Sequence, residues 1–177
     1  MFKLRKNSGF TLAELMVVLG IIAILSALAI PGLVAWIPKH KLGNGARDIL
    51  STLEGARMRA VRDRASVGIE FLGDNVSYRV WIDDGGTGAG TADDATLNGD
   101  ERIIADRELP KGIRKTTAEF PTGGGGQTRF RFDSQGFPLD TAGNPTDGKL
   151  EITNGRLDRF IHLSIAGNVV ISKEENP

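Results

Sequence analysis

The sequence predicts an α+β protein: one long N-terminal helix followed by a C-terminal antiparallel β domain, sandwich-like, of about seven strands. Three observations carry the prediction. An uncharged run of 24 residues, Leu15 to Pro38, comes after a short basic leader. Apolar residues then recur at three- and four-residue steps to about residue 65. Beyond that, short segments alternate apolar and polar residues with period two, separated by Gly-, Asn- and Asp-rich connections. The chain therefore divides into a leader (1–9), an apolar helix (10–38), an amphipathic helix (39–66) and a β domain (67–177).

The leader, MFKLRKNSG, holds Lys3, Arg5 and Lys6 and no acid. The run after it exceeds the ~20 residues, at ~1.5 Å each, that a bilayer-spanning helix needs. A core helix in a soluble domain has one polar face, and this run has none. Basic residues on its N-terminal side predict a cytoplasmic N-terminus and export of the C-terminal remainder of the chain. A secretory signal peptide has a shorter apolar region, ~7–15 residues, ending at a small-residue cleavage site. Glu14 stands at the mouth of the run, and a carboxylate at the bilayer edge is a candidate functional residue.

Ser8-Gly9-Phe10-Thr11-Leu12-Ala13-Glu14, after a basic leader and before a long apolar helix, resembles the processing site of type IV prepilins and type II secretion pseudopilins. The arrangement covers residues 1–37. The resemblance implies that a prepilin peptidase of the inner membrane cuts between Gly9 and Phe10 and N-methylates Phe10. It also implies that Glu14 neutralises the N-terminal amine of a neighbouring subunit, each charge offsetting the other in hydrocarbon. Pro31 falls where the family has a helix-interrupting proline, so a helix break is expected there. Pro38 is a second candidate break. A plain membrane anchor is the alternative.

In residues 39–65, Leu42, Ala46, Ile49, Leu50, Leu53, Ala56, Ala60 and Val61 form the expected inward face, with charged residues opposite. Gly43, Gly45 and Gly55 weaken this helix by up to ~1 kcal/mol each relative to alanine. Strands are expected at Val67–Leu72, Val76–Asp83, Arg102–Leu109, Ile113–Glu119, Thr128–Asp133, around Leu150 and Ile152, and at Arg159–Ile165 and Val169–Ser172. Ala166-Gly167-Asn168 reads as a hairpin turn. Such strands after one helix suggest sheets packed on that helix.

A long N-terminal helix before a β domain is the architecture of the pilin superfamily. The text of residues 39–72, with Ala46-Arg47-Asp48, Ala56-Arg57 and Ala60-Val61 running directly into a strand, resembles the H-type minor pseudopilins and related minor pilins. This implies a structural subunit, not an enzyme: a minor pseudopilin of the type II secretion system, in an inner-membrane-anchored pseudopilus used in protein export. Its partners would be other pseudopilins or pilins, met through the N-terminal helix, and the prepilin peptidase. The β domain would be periplasmic or extracytoplasmic. One alternative is a minor pilin that primes type IV pilus assembly, with or without DNA uptake. An exported ligand-binding domain on a simple membrane anchor is an alternative of another class.

Composition narrows the chemistry. The chain has 22 basic and 22 acidic side chains, two His and no Cys. Lacking cysteine, it has no disulfide scaffold, thiol nucleophile or thiolate metal site. Two lone histidines, His40 and His162, do not make a zinc site, and His162 is expected to be a satisfied structural residue. No cofactor is expected. Asp83, Asp84, Asp93 and Asp94, in the acidic glycine loop before Glu101, are weak candidates for calcium. The spacing is not that of an EF-hand, since Ala105 stands where the bidentate glutamate belongs. A solvated surface loop is the plainer reading. Arg57, Arg59, Arg62 and Arg64 crowd one region, but Glu54 and Asp63 are available as partners. The C-terminal tail carries net negative charge, so nucleic acid is not an expected partner.

Overall fold

A computed structural model describes residues 10–86, 91–122 and 125–174. The chain falls into two compact units, 1–37 and 38–177, and one helix, α1 (Leu12–Asp63), contributes to both. Its backbone remains helical through Pro31 and Pro38. The expected breaks are therefore not ends of the element. Each proline lacks an N–H and deletes one i→i−4 bond, while the turns on either side carry the helix on.

The end of α1 is built locally. Arg64 takes a left-handed conformation (φ 52°), and the Ala65 N–H donates to Ala60 O at 3.3 Å. This six-to-one closure satisfies a terminal carbonyl and turns the chain into the first strand, without the glycine that usually occupies the left-handed position.

Ten strands come after α1 among the described residues, in two antiparallel sheets. The first sheet has the order β3 (Ile103–Glu108), β2 (Ser77–Asp83), β1 (Ser66–Phe71), β6 (Arg129–Phe132), β7 (Pro138–Leu139). The second has the order β10 (Val169–Ser172), β9 (Asp158–Leu163), β8 (Gly148–Thr153), β4 (Arg114–Thr122), β5 (Gly125–Gln127). About seven strands are expected from the sequence. The two that no alternation announces are β5, which is mostly glycine, and β7, which has two residues and begins with proline.

Register explains the core. Val67 pairs with Ile82 and Phe132, and Ile69 with Val80 and Phe130, so these side chains share the inner face of the first sheet. Phe120, Leu150, Ile152, Ile161 and Leu163 are buried apolar residues of the second. Apart from Ile82, both sets join Leu42, Ala46, Ile49, Leu53, Ala56 and Ala60 of α1 in one cluster. Phe120 links the sheets, its ring centroid 5.9 Å from Phe71 and 4.4 Å from Phe130. Gly148 permits this, because a Cβ there would collide with the Phe120 ring. Val61, expected on the inward face, is 48% exposed, and Leu50 is only partly buried.

The outer face of the first sheet has its own small core. Trp81 is fully buried across Gly68, where a Cβ would strike the indole. The loop after β2 is drawn onto this face and is not simply solvated. Ala95 is fully buried, and Asp83 and Glu101 are also buried.

Candidate functional site

At its N-terminus, α1 is capped by its own side chains. The Thr11 N–H and Oγ1 donate to Glu14 Oε2 at 2.9 and 3.0 Å. In return, Thr11 Oγ1 accepts the Glu14 N–H at 3.2 Å. This is a reciprocal capping box: it satisfies backbone donors that the first helical turn leaves free and sets a carboxylate at the positive end of the helix dipole. The Thr-x-x-Glu spacing stands in the sequence, but the family resemblance gives the Glu14 carboxylate only an intermolecular role. In the single chain it is engaged within its own first turn. Gly9, the other half of the expected cleavage site, lies outside the described residues. Phe10 is described and is 89% exposed.

Leu12–Ile30 is long and apolar enough to cross a membrane, with mean hydropathy 2.6. Its large side chains, from Leu15 and Met16 to Leu28 and Ile30, are exposed around the helix. Such a surface needs lipid or other apolar helices as its surroundings. Its backbone bonds are satisfied internally, as a spanning segment requires. The side chain of Pro31 is outside the described set.

The carboxylates of the acidic loop are engaged with nearby N–H groups and with Arg131. Asp83 accepts the Ala95 N–H at 2.8 Å, and Glu101 accepts those of Gly85 and Asn98, both at 2.9 Å. Asp84 takes the Gly86 N–H at 3.0 Å, and Asp94 takes the Thr96 N–H at 2.7 Å. Asp93 pairs with Arg131 at 3.0 Å, and the same guanidinium donates to Ser66 Oγ. Among the described residues, no three carboxylate or imidazole groups converge as a metal site would need. Burial raises the Asp83 carboxyl to about 6, with the nearby charges of Glu101 and Asp94 adding to the effect.

The arginine cluster is partly spent on structure. Arg57 donates to Gly167 O and Ala166 O, both at 2.9 Å, and so holds the β9–β10 turn. Arg59 and Arg62 both lie beside Asp63, at 3.1 and 2.8 Å. His162 lies in β9, where its Nε2 is buried with no hydrogen-bond partner among the described residues, in contrast to the satisfied histidine expected. His40 is exposed.

Comparison with known proteins mirrors the two-part division of the chain. The profile of the family described as type II transport protein GspH matches residues 45–168. That of the prokaryotic N-terminal methylation motif matches residues 4–30. No curated protein matches the sequence. Among solved structures, the type IV minor pilin FimU of Pseudomonas aeruginosa is similar at 17% identity and a TM-score of 0.53, over 76% of this chain and 90% of that one. A second crystal form of FimU gives 16% and 0.50, over 74% and 92%. The minor pseudopilin EpsH of the Vibrio cholerae type 2 secretion system gives 11% and 0.49, over 75% and 97%.

Proposed function

This chain belongs to the family of the type II transport protein GspH, and from that premise we propose that it is an H-type minor pseudopilin of the type II secretion system. Its fold is pilin-like, a helix packed on antiparallel sheets, as in FimU. The observation that carries the proposal is the joining, in one chain, of a region at 45–168 that matches the GspH family to a prokaryotic N-terminal methylation motif at 4–30.

In this reading the protein enters the inner membrane as a single-pass precursor, with Lys3, Arg5 and Lys6 holding its N-terminus in the cytoplasm. Prepilin peptidase cuts between Gly9 and Phe10 and methylates Phe10. The mature chain then joins other pseudopilins through α1. Glu14 moves from the Thr11 cap to the new amine of a neighbour, trading a neutral partner for a charged one. The subunit works by assembly, and no residue is assigned a catalytic step.

A strain lacking the gene should lose exoprotein secretion and keep twitching motility and transformation. Glu14→Lys should still be inserted and cleaved but should fail to enter filaments. Normal secretion in the deletion strain would overturn the assignment. The likeness to FimU favours a second reading, a minor pilin that primes type IV pilus assembly. Under it the same strain would lose twitching and keep secretion.

A further inference from the structure

Beyond the membrane helix, the exported unit has a second surface with the marks of a binding site. A groove of about 640 Å³ runs between α1 and β3. Buried Ala56 and Val80 form part of its lining, and Gly55 opens it above, with no heavy atom within 4 Å of where a Cβ would stand. Arg59, Arg62 and Arg107 also line it, and among the described residues no carboxylate does.

Two further features give the groove a direction and a preference. β3 is the outermost strand of the first sheet, so among the described residues its outward N–H and C=O groups have no strand partner. Two of the guanidiniums are mostly exposed. The side chain of Arg62 is 68% exposed and that of Arg107 is 54% exposed. Arg107 reaches Asp48 at 3.4 Å, and Arg59 and Arg62 share the single carboxylate of Asp63. Arg62 meets Asp63 with two hydrogen bonds, at 2.8 and 3.3 Å, whereas the Arg107 contact is single and exposed, and exposed pairs contribute little and exchange for a better partner. The Arg59 Nε is buried and lies 3.1 Å from Asp63.

We propose that this groove takes an extended acidic segment of a partner protein, which adds to β3 as a further strand of the first sheet. Main-chain bonds to β3 would supply register, and alternate residues of the incoming strand would face the apolar lining and the arginines. The guanidiniums select acidic side chains, which they can meet with two parallel bonds. The groove uses the last turns of α1 and not its apolar stretch Leu12–Ile30, and its test does not depend on which filament the subunit joins.

The test uses the full chain in detergent micelles and two peptides, one alternating valine and glutamate, the other valine and lysine. The acidic peptide should bind, by fluorescence anisotropy, and the basic one should not. Hydrogen exchange should slow at the amides of β3. The charge reversal Arg62→Glu with Arg107→Glu should weaken the acidic peptide at least tenfold and admit the basic one. Gly55→Leu, which fills the mouth and favours the helix, should block the acidic peptide and, added to the double reversal, the basic one. Equal binding of the two peptides, no binding up to millimolar concentration, or unchanged exchange at β3 would overturn the proposal. So would an added second copy of this chain taking the groove in place of the acidic peptide.

Discussion

Arg57 shows how a single residue can mislead when read by charge alone. In the sequence it is one of four arginines within eight positions, a pattern that raises the question of phosphate binding. In the structure its guanidinium closes on Ala166 O and Gly167 O, tying α1 to a turn more than a hundred residues away. Arg57→Ala should cost about 1–3 kcal/mol in urea unfolding, the range for losing charge-assisted bonds to carbonyls. Asp83 carries a pH signature. Its folded carboxyl, near 6, is raised above the usual 3.8, so the folded state holds the proton more tightly than the unfolded one. The contribution of Asp83 to stability therefore falls as pH rises from about 4 to about 6. Asp83→Asn, whose Oδ1 can still accept the Ala95 N–H, should flatten the unfolding profile across that interval. An unchanged profile would place the titration elsewhere.

At the scale of elements, α1 carries two different surfaces. Leu12–Ile30 is apolar all round and exposed. Beyond Pro38, Leu42, Ala46, Ile49, Leu53, Ala56 and Ala60 make a narrow stripe with steps of four and three. Leu50 and Val61 each come one position after a stripe residue, a rotation of ~100°, which is why neither is fully buried. Leu53→Ala should cost about 2–5 kcal/mol, because both sheets pack on that stripe and limit collapse of the cavity. Thr11→Val should remove about 1 kcal/mol from the helix start and speed exchange of the first-turn amides in micelles. Most strands were legible because alternation tracks burial on a two-faced strand. β5 and β7 were not, since glycine and proline carry no alternation. The burial of the Asp83–Glu101 loop was not legible either. It depends on Trp81 lying on the outer face of its sheet, and local composition does not reveal what covers an outer face.

The whole molecule is two unlike pieces in one chain, and its averages conceal this. Net charge is zero only while the leader is counted. Without Lys3, Arg5 and Lys6 the chain has 19 basic side chains against 22 acidic. The site was legible as a pattern in residues 8–14, where a few small and charged positions stand beside a long apolar run. Its local geometry was not. The cap between Thr11 and Glu14 came from the structure and gives Glu14 a partner within its own first turn. Everything proposed about assembly depends on removal of the leader between Gly9 and Phe10. Mass spectrometry of the protein purified from membranes tests this most directly. The expected product is a chain that begins at N-methylated Phe10. A mature protein that keeps Met1, or begins elsewhere with an unmethylated residue, would contradict the assembly role.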